Sequence, residues 1–148
     1  MASQTPHNSP GSAWLATHAR RPDIASAVWD LDGLAPIHCT TWLAAEIQLN
    51  ISLDALGRLR RGHRGPLLLD PALDTAWWLV PHSAALELAD IRSVTVHPQE
   101  WPLHVPPVEH PAAGRFWHIP PDGSGHLTEP AYLAAALGPV GRLPAEAF

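Results

Sequence analysis

Residues 65–80 (GPLLLDPALDTAWWLV) constrain this fold more than any other stretch of the chain. Residues 66–70 are a continuous apolar run closed by an aspartate, residues 71–74 are turn formers, and residues 75–80 are aromatic and β-rich. That order predicts a β-hairpin with a four-residue connection. Successive side chains on a strand point to opposite faces, so Trp77 and Trp78 should diverge. One indole is expected in the core and the other toward water, a helix or a partner, where an exposed tryptophan would make an interface.

Around the hairpin the grammar is mixed. A short helical segment is expected around residues 13–19, and residues 24–31 (IASAVWDL) read as a strand ended by Asp32-Gly33. Residues 40–48 (TTWLAAEIQ) carry a threonine cap and good helix formers, so they read as a helix. Ser52 then caps a second helix over residues 53–61, which Gly62 closes. Further along, residues 82–89 are a short helix candidate, and residues 91–97 (IRSVTVH) alternate at period two. Residues 101–105 and 115–119 read as strands halted by proline, and Thr128 caps a last helix over residues 131–137 that stops at Gly138. The expected fold class is α+β: a single small domain over residues 13–148. Its mostly antiparallel central sheet should have about five to six strands, flanked by three to four helices. Residues 1–12, polar and rich in turn formers, read as a disordered tail.

Composition narrows the chemistry. All nine basic residues are arginine, which excludes a Schiff-base lysine, a P-loop lysine and a lysine general base. The single cysteine, Cys39, excludes an internal disulfide. No apolar run approaches the roughly 20 residues of a membrane helix, so a reducing, cytoplasmic setting without membrane contact is expected. A net charge of -5 does not favour nucleic acid. Against that background Arg58, Arg60, Arg61, His63 and Arg64 form a local basic cluster. Such a cluster serves either to neutralise a helix C-terminus or to contact phosphate or an acidic partner.

Three constellations offer candidate sites. On a strand, Asp30 and Asp32 of WDLDG would project to the same face roughly 7 Å apart, a spacing suited to a hard divalent cation. The same motif evokes haloacid-dehalogenase phosphatases, but those need a lysine, and this chain has none. The ten histidines show no HxH or HxxxH pair, although His97 and His104, or His104 and His118, could meet across neighbouring strands. His38 and Cys39 are adjacent, so their side chains should point apart and not form a nucleophilic pair.

The segments Asp90-Ile91-Arg92, Leu103-His104-Val105-Pro106-Pro107-Val108-Glu109-His110-Pro111 and Gly114-Arg115-Phe116-Trp117 resemble the end of the primase-polymerase domain of bacterial bifunctional DNA primase/polymerases. The chain is also similar to short proteins of GC-rich bacteria in several places. They carry an early Trp-Asp (Trp29-Asp30), a Gly-Pro-hydrophobic-Asp strand (Gly65 to Asp70), a hydrophobic-Val-Pro strand (Leu79-Val80-Pro81) and a Pro-Pro-Asp-Gly-x-Gly finish (Pro120 to Gly125). The resemblance implies that Asp30, Asp32 and Asp90 stand where active relatives hold Mg2+ or Mn2+ for nucleotidyl transfer. It also implies that the nucleotide-contacting histidine has been lost, since Asp74-Thr75-Ala76-Trp77-Trp78 occupies its strand, and that Val108 replaces a serine. The leading expectation is therefore a non-catalytic regulatory protein without cofactor. It would act on a protein partner through Trp77 or Trp78 and the arginines Arg58, Arg60, Arg61 and Arg64, with homodimerisation left open. The alternative is a metal-dependent nucleotide-binding or nucleotidyl-transfer enzyme that uses Asp30, Asp32 and Asp90.

Overall fold

The computed structural model describes residues 9–138 of the chain. It is an α+β fold, as expected, with five α-helices and seven strands arranged in two antiparallel sheets among the described residues. The helices are α1 (Pro10–Thr17), α2 (Pro22–Asp30), α3 (Leu49–Leu56), α4 (Ala84–Glu87) and α5 (Pro130–Leu137). The strands are β1 (Ala35–His38), β2 (Leu43–Gln48), β3 (Leu67–Asp70), β4 (Thr75–Val80), β5 (Val94–Val96), β6 (Pro102–Val105) and β7 (Phe116–Ile119). One sheet has the order β5-β2-β4-β3-β7, and the other pairs β1 with β6. No described helix is long and apolar enough to cross a membrane.

The predicted hairpin is present. β3 and β4 pair antiparallel around a 3-10 turn over Pro71–Leu73, and Asp70 caps that turn by accepting the Leu73 amide at 3.2 Å. Adjacent indoles on β4 then diverge as the pleat requires. Trp78 points at α3, where its Nε1 donates to Ser52 Oγ at 3.0 Å. Trp77 shares the opposite face with its cross-strand neighbours Glu46 and Leu68. Trp117 pairs with Leu68 and lies on that same face, and its Nε1 donates to Pro106 O just past β6. The two-stranded sheet therefore covers the face opposite α3. The expectation that one of the pair faces water is overturned: Trp77 is 4% exposed and Trp78 0%. None of the seven tryptophans is exposed, because the fold supplies a packed layer on each side of the sheet.

Two element assignments are corrected. Residues 24–31 are not a strand: α2 begins at Pro22, with Asp23 in its first turn. Its buried residues Ala25 and Trp29 are four apart, a helical spacing that the apparent alternation hid. Residues 40–48 are not a helix but contain β2, the strand that joins β4 to β5. Ala44 and Ala45 oppose Leu79 and Trp78, so small side chains are needed where a large neighbour crosses, and pairing overrides the local helix preference. Ser52 lies inside α3 as the acceptor for Trp78 and does not cap a helix at residue 53. Thr128 likewise caps nothing. Its Oγ1 accepts the Gly65 amide at 2.8 Å, while the cap position of α5 is Glu129. Of the predicted tail, residues 1–8 lie outside the described residues, and Pro10, Gly11 and Ser12 are helical in α1.

The end of α1 meets β1 at a half-buried histidine, whose carbonyl accepts the His38 amide at 3.0 Å. His18 lies between Trp14 and Trp42, with ring centroids 4.5 and 5.8 Å away, and its Nδ1 is 2.7 Å from Thr40 Oγ1. Its Nε2, the Trp42 Nε1 and the His38 Nδ1 are all buried without a hydrogen-bond partner among the described residues. Burial holds the His18 pKa below its ordinary 6.5. His38 is lowered in the same direction, first by burial and then by the nearby Arg20 charge. The folded chain thus resists protonation at two imidazoles that the unfolded chain protonates first. Stability from this source is complete above about pH 6.5 and is lost as the pH falls below it. Urea midpoints should be lower at about pH 5.5 than at about pH 7.5, and His18→Gln should shrink the difference.

Candidate functional site

The arginine cluster forms the wall of a groove. α3 ends at Gly57, and the chain continues through two tight turns, Arg58 N to Ala55 O and Leu59 N to Leu56 O, with Leu59 buried as the anchor. A 3-10 turn over Arg61–His63 then leads into Gly65. Gly65 packs so closely on Leu127 and Thr128 that any Cβ would collide with the Thr128 backbone. This contact fixes the turn against the start of α5. The Glu129 amide donates to His63 O at 3.2 Å, and the His63 ring stacks on Tyr132 with centroids 3.6 Å apart and planes 9° from parallel.

Between these elements lies an open cavity of about 380 Å³ lined by Arg58, Arg60, His63, Tyr132 and three apolar residues. No carboxylate lines it. The four arginines of the cluster are not equivalent. Arg64 turns inward and donates to Leu59 O and Leu56 O at 2.9 and 3.1 Å, satisfying carbonyls at the C-terminus of α3. Arg58 donates to Ala136 O near the end of α5 at 2.9 Å and pairs with Asp54 one turn earlier at 3.1 Å. Arg60 and Arg61 are exposed, and their guanidinium groups make no hydrogen bond or ion pair among the described residues. Only Arg60 of these two lines the groove. Helix capping, one of the two readings of the cluster, therefore explains Arg64 and part of Arg58 but neither of the others.

The carboxylates of the alternative reading are placed differently from the expectation. Asp30 is the last residue of α2, and Asp32 adopts a left-handed conformation (φ 58°) in the turn that follows. That turn is closed by the Asp32 amide on Trp29 O and the Gly33 amide on Val28 O, so the two aspartates do not share a strand face. Asp90 is exposed in the turn after α4, beside the buried anchor Ile91. Among the described residues no three His, Cys, Asp or Glu side chains gather as a metal-ligand set, these three aspartates included. Nor do His97, His104 and His118 form one. Cys39 is buried, and burial raises its thiol to about 11, far from a reactive thiolate.

Sequence reasoning missed a charged belt across the Trp77 face of the larger sheet. Glu46 Oε1 accepts from Trp77 Nε1 at 3.1 Å and sits 2.8 Å from His97 Nε2, while His97 stacks on Trp101 at 3.6 Å. On the other side of Trp77, the Arg115 guanidinium lies 4.4 Å from the ring centroid, donates to Asp70 Oδ2 at 2.9 Å, and reaches His104 O at 2.7 Å. The parts come from β2, β3, β4, the segment that follows β5 and the residue before β7, so only the strand register unites them. The one signal available was a glutamate and an aspartate on apolar strands. Among the described residues no Ser, Thr or Cys side chain hydrogen-bonds to His97.

No family model, curated protein or solved structure matches this chain. The Arg115 and Asp70 side chains are only 15% and 7% exposed. Removing the cation strands a buried charge, at a cost of roughly 3–5 kcal/mol. Arg115→Met should lower unfolding stability by about that amount in urea titrations, whereas Arg61→Met should change it by less than about 0.5 kcal/mol.

Proposed function

We propose that this chain is a non-catalytic binding protein that acts through a protein partner, and that an acidic segment of that partner lies in the groove between the end of α3 and α5. The observation that carries this reading is the composition of the groove. Arg58, Arg60 and His63 line it together with an aromatic platform and no acid, on a chain whose net charge is -5. Arg60 has no internal ion pair to break before it meets a carboxylate. Tyr132 is 50% exposed but already held by stacking on His63, so little side-chain freedom is lost when a partner covers it. Tyrosine and arginine are also the residue types that most often dominate interface energetics. The role expected for Trp77 and Trp78 passes to Tyr132, because both indoles are committed to the core.

The test is affinity capture from the native host, followed by mass spectrometry, with the wild-type chain, Arg60→Glu and Tyr132→Ala run in parallel. Both substituted positions are exposed, and matching urea midpoints would establish equal folding. The reading expects a partner recovered by the wild type, its yield reduced roughly tenfold or more by each variant and weakened by added salt. Equal recovery by the wild type and both variants would refute the groove as the binding site.

A further inference from the structure

A second cavity, of about 340 Å³, lies where the loop after α1, the first turn of α2 and strand β1 meet. That size falls within the range of small-molecule sites. Its apolar wall comes from Ala19, Ile24, Ala25 and Pro36, and Ile24 is 49% exposed. Arg20 and Arg21 stand beside this wall, and His38 completes it. The polar end is unusual in one respect: His38 Nδ1 is buried and has no hydrogen-bond partner among the described residues. An Nδ1 shut off from solvent is met by a ligand only if the ring turns toward the cavity, and a carboxylate that draws it out supplies the partner that the chain does not.

From this arrangement we infer a binding site for a small aliphatic carboxylate, its carbon chain on Ile24, Ala25 and Pro36 and its carboxylate between the Arg20 guanidinium and His38. Charge complementarity selects the head group. The His38 amide donates to His18 O at 3.0 Å, two residues before Arg20, which brings the imidazole and the cation to the same part of the cavity wall. Arg20 is held only by Glu100, at 3.8 Å, in an exposed pair that an incoming carboxylate displaces at little cost. Arg21 is engaged with Asp23 at 3.0 Å in a net-neutral pair, so the attraction for an anion rests on Arg20. Burial and Arg20 keep His38 neutral at pH 7, so its ring carries a single N–H to donate to the carboxylate. The apolar wall sets the other half of the specificity, since a short polar acid would leave Ile24 and Pro36 uncovered.

Octanoate and 1-octanol serve as matched probes, titrated into the full chain and followed by amide chemical shifts. The site predicts saturable octanoate binding at least about tenfold tighter than that of octanol, with shifts centred on the amides of Ala19, Arg20, Arg21, Ala25 and His38. Arg20→Ala should weaken octanoate about tenfold and leave octanol nearly unchanged. Ile24→Asp, at a half-exposed position, should abolish binding of both while an unchanged urea midpoint shows that the fold is kept. Arg60→Glu should alter neither, which separates this site from the partner groove. Equal affinity for octanoate and octanol, shifts centred elsewhere, absence of saturation at millimolar octanoate, or tighter binding of acetyl-Leu-Leu, which would mark a peptide C-terminus as the occupant, would each overturn the inference.

Discussion

Two adjacent indoles on one central strand set the architecture. The pleat sends Trp77 and Trp78 to opposite faces of the larger sheet, so neither face can be left to water without exposing a large aromatic surface. α3 closes one side, and the pair β1–β6, carrying α2 on it, closes the other. Each indole also brings an N–H into a dry layer and needs an acceptor there. Ser52 supplies one from within α3, and Glu46 supplies the other from the neighbouring strand. A serine in a helix interior and a glutamate in a sheet interior, each a poor choice by local propensity, follow from the same requirement.

Glu46 brings a carboxylate onto a partly covered face, and the surrounding residues respond to it. His97 approaches the same oxygen as the Trp77 indole, and Trp101 covers the imidazole. Arg115 stacks over the far side of Trp77 and ties the sheet to the β6 layer through His104 O, with Asp70 as its counter-ion. The two layers are thereby registered by directional bonds as well as by apolar contact, and such bonds specify one arrangement more sharply than dispersion does. The same demand on main-chain carbonyls absorbs Arg58 and Arg64 at helix ends. Arg20, Arg21, Arg60, Arg61 and Arg92 stay exposed, and both cavities lie beside members of that set.

The hairpin was readable because turn, apolar run and β-rich aromatics agree with one another and with their tertiary surroundings. The α5 helix was readable for the same reason, although Thr128 was assigned the wrong task. Its hydroxyl serves the close approach of Gly65, a contact between residues far apart in the chain that no local pattern announces. β2 failed because alanine, leucine, glutamate and glutamine favour helices locally, while the opposing Trp78 and Leu79 demand small side chains in a strand. α2 failed in the opposite sense, since a short stretch with apolar residues at both spacings fits either period. That error also created the DxD pair, because two aspartates two apart converge on a strand but not at a helix end and its following turn. The arginine cluster was legible as a cluster. Its division into capping and lining members was not, since that depends on which carbonyls the fold brings within reach.

The sign of the local field gives the groove its character. Fourteen carboxylates against nine arginines make the chain acidic as a whole, so its long-range field repels an acidic partner. At ordinary ionic strength that field is screened beyond about 8–10 Å, within which Arg60 is the uncompensated charge of the groove, Arg58 being shared with Asp54. Recognition in such a site therefore depends on contact and not on steering. An acidic segment gains attraction only once it lies against Tyr132 and the arginines, and acids that do not fit the stacked platform gain nothing from the approach. A cationic groove on an acidic protein thus favours discrimination over speed of encounter, which is what the proposed partner-binding role would require.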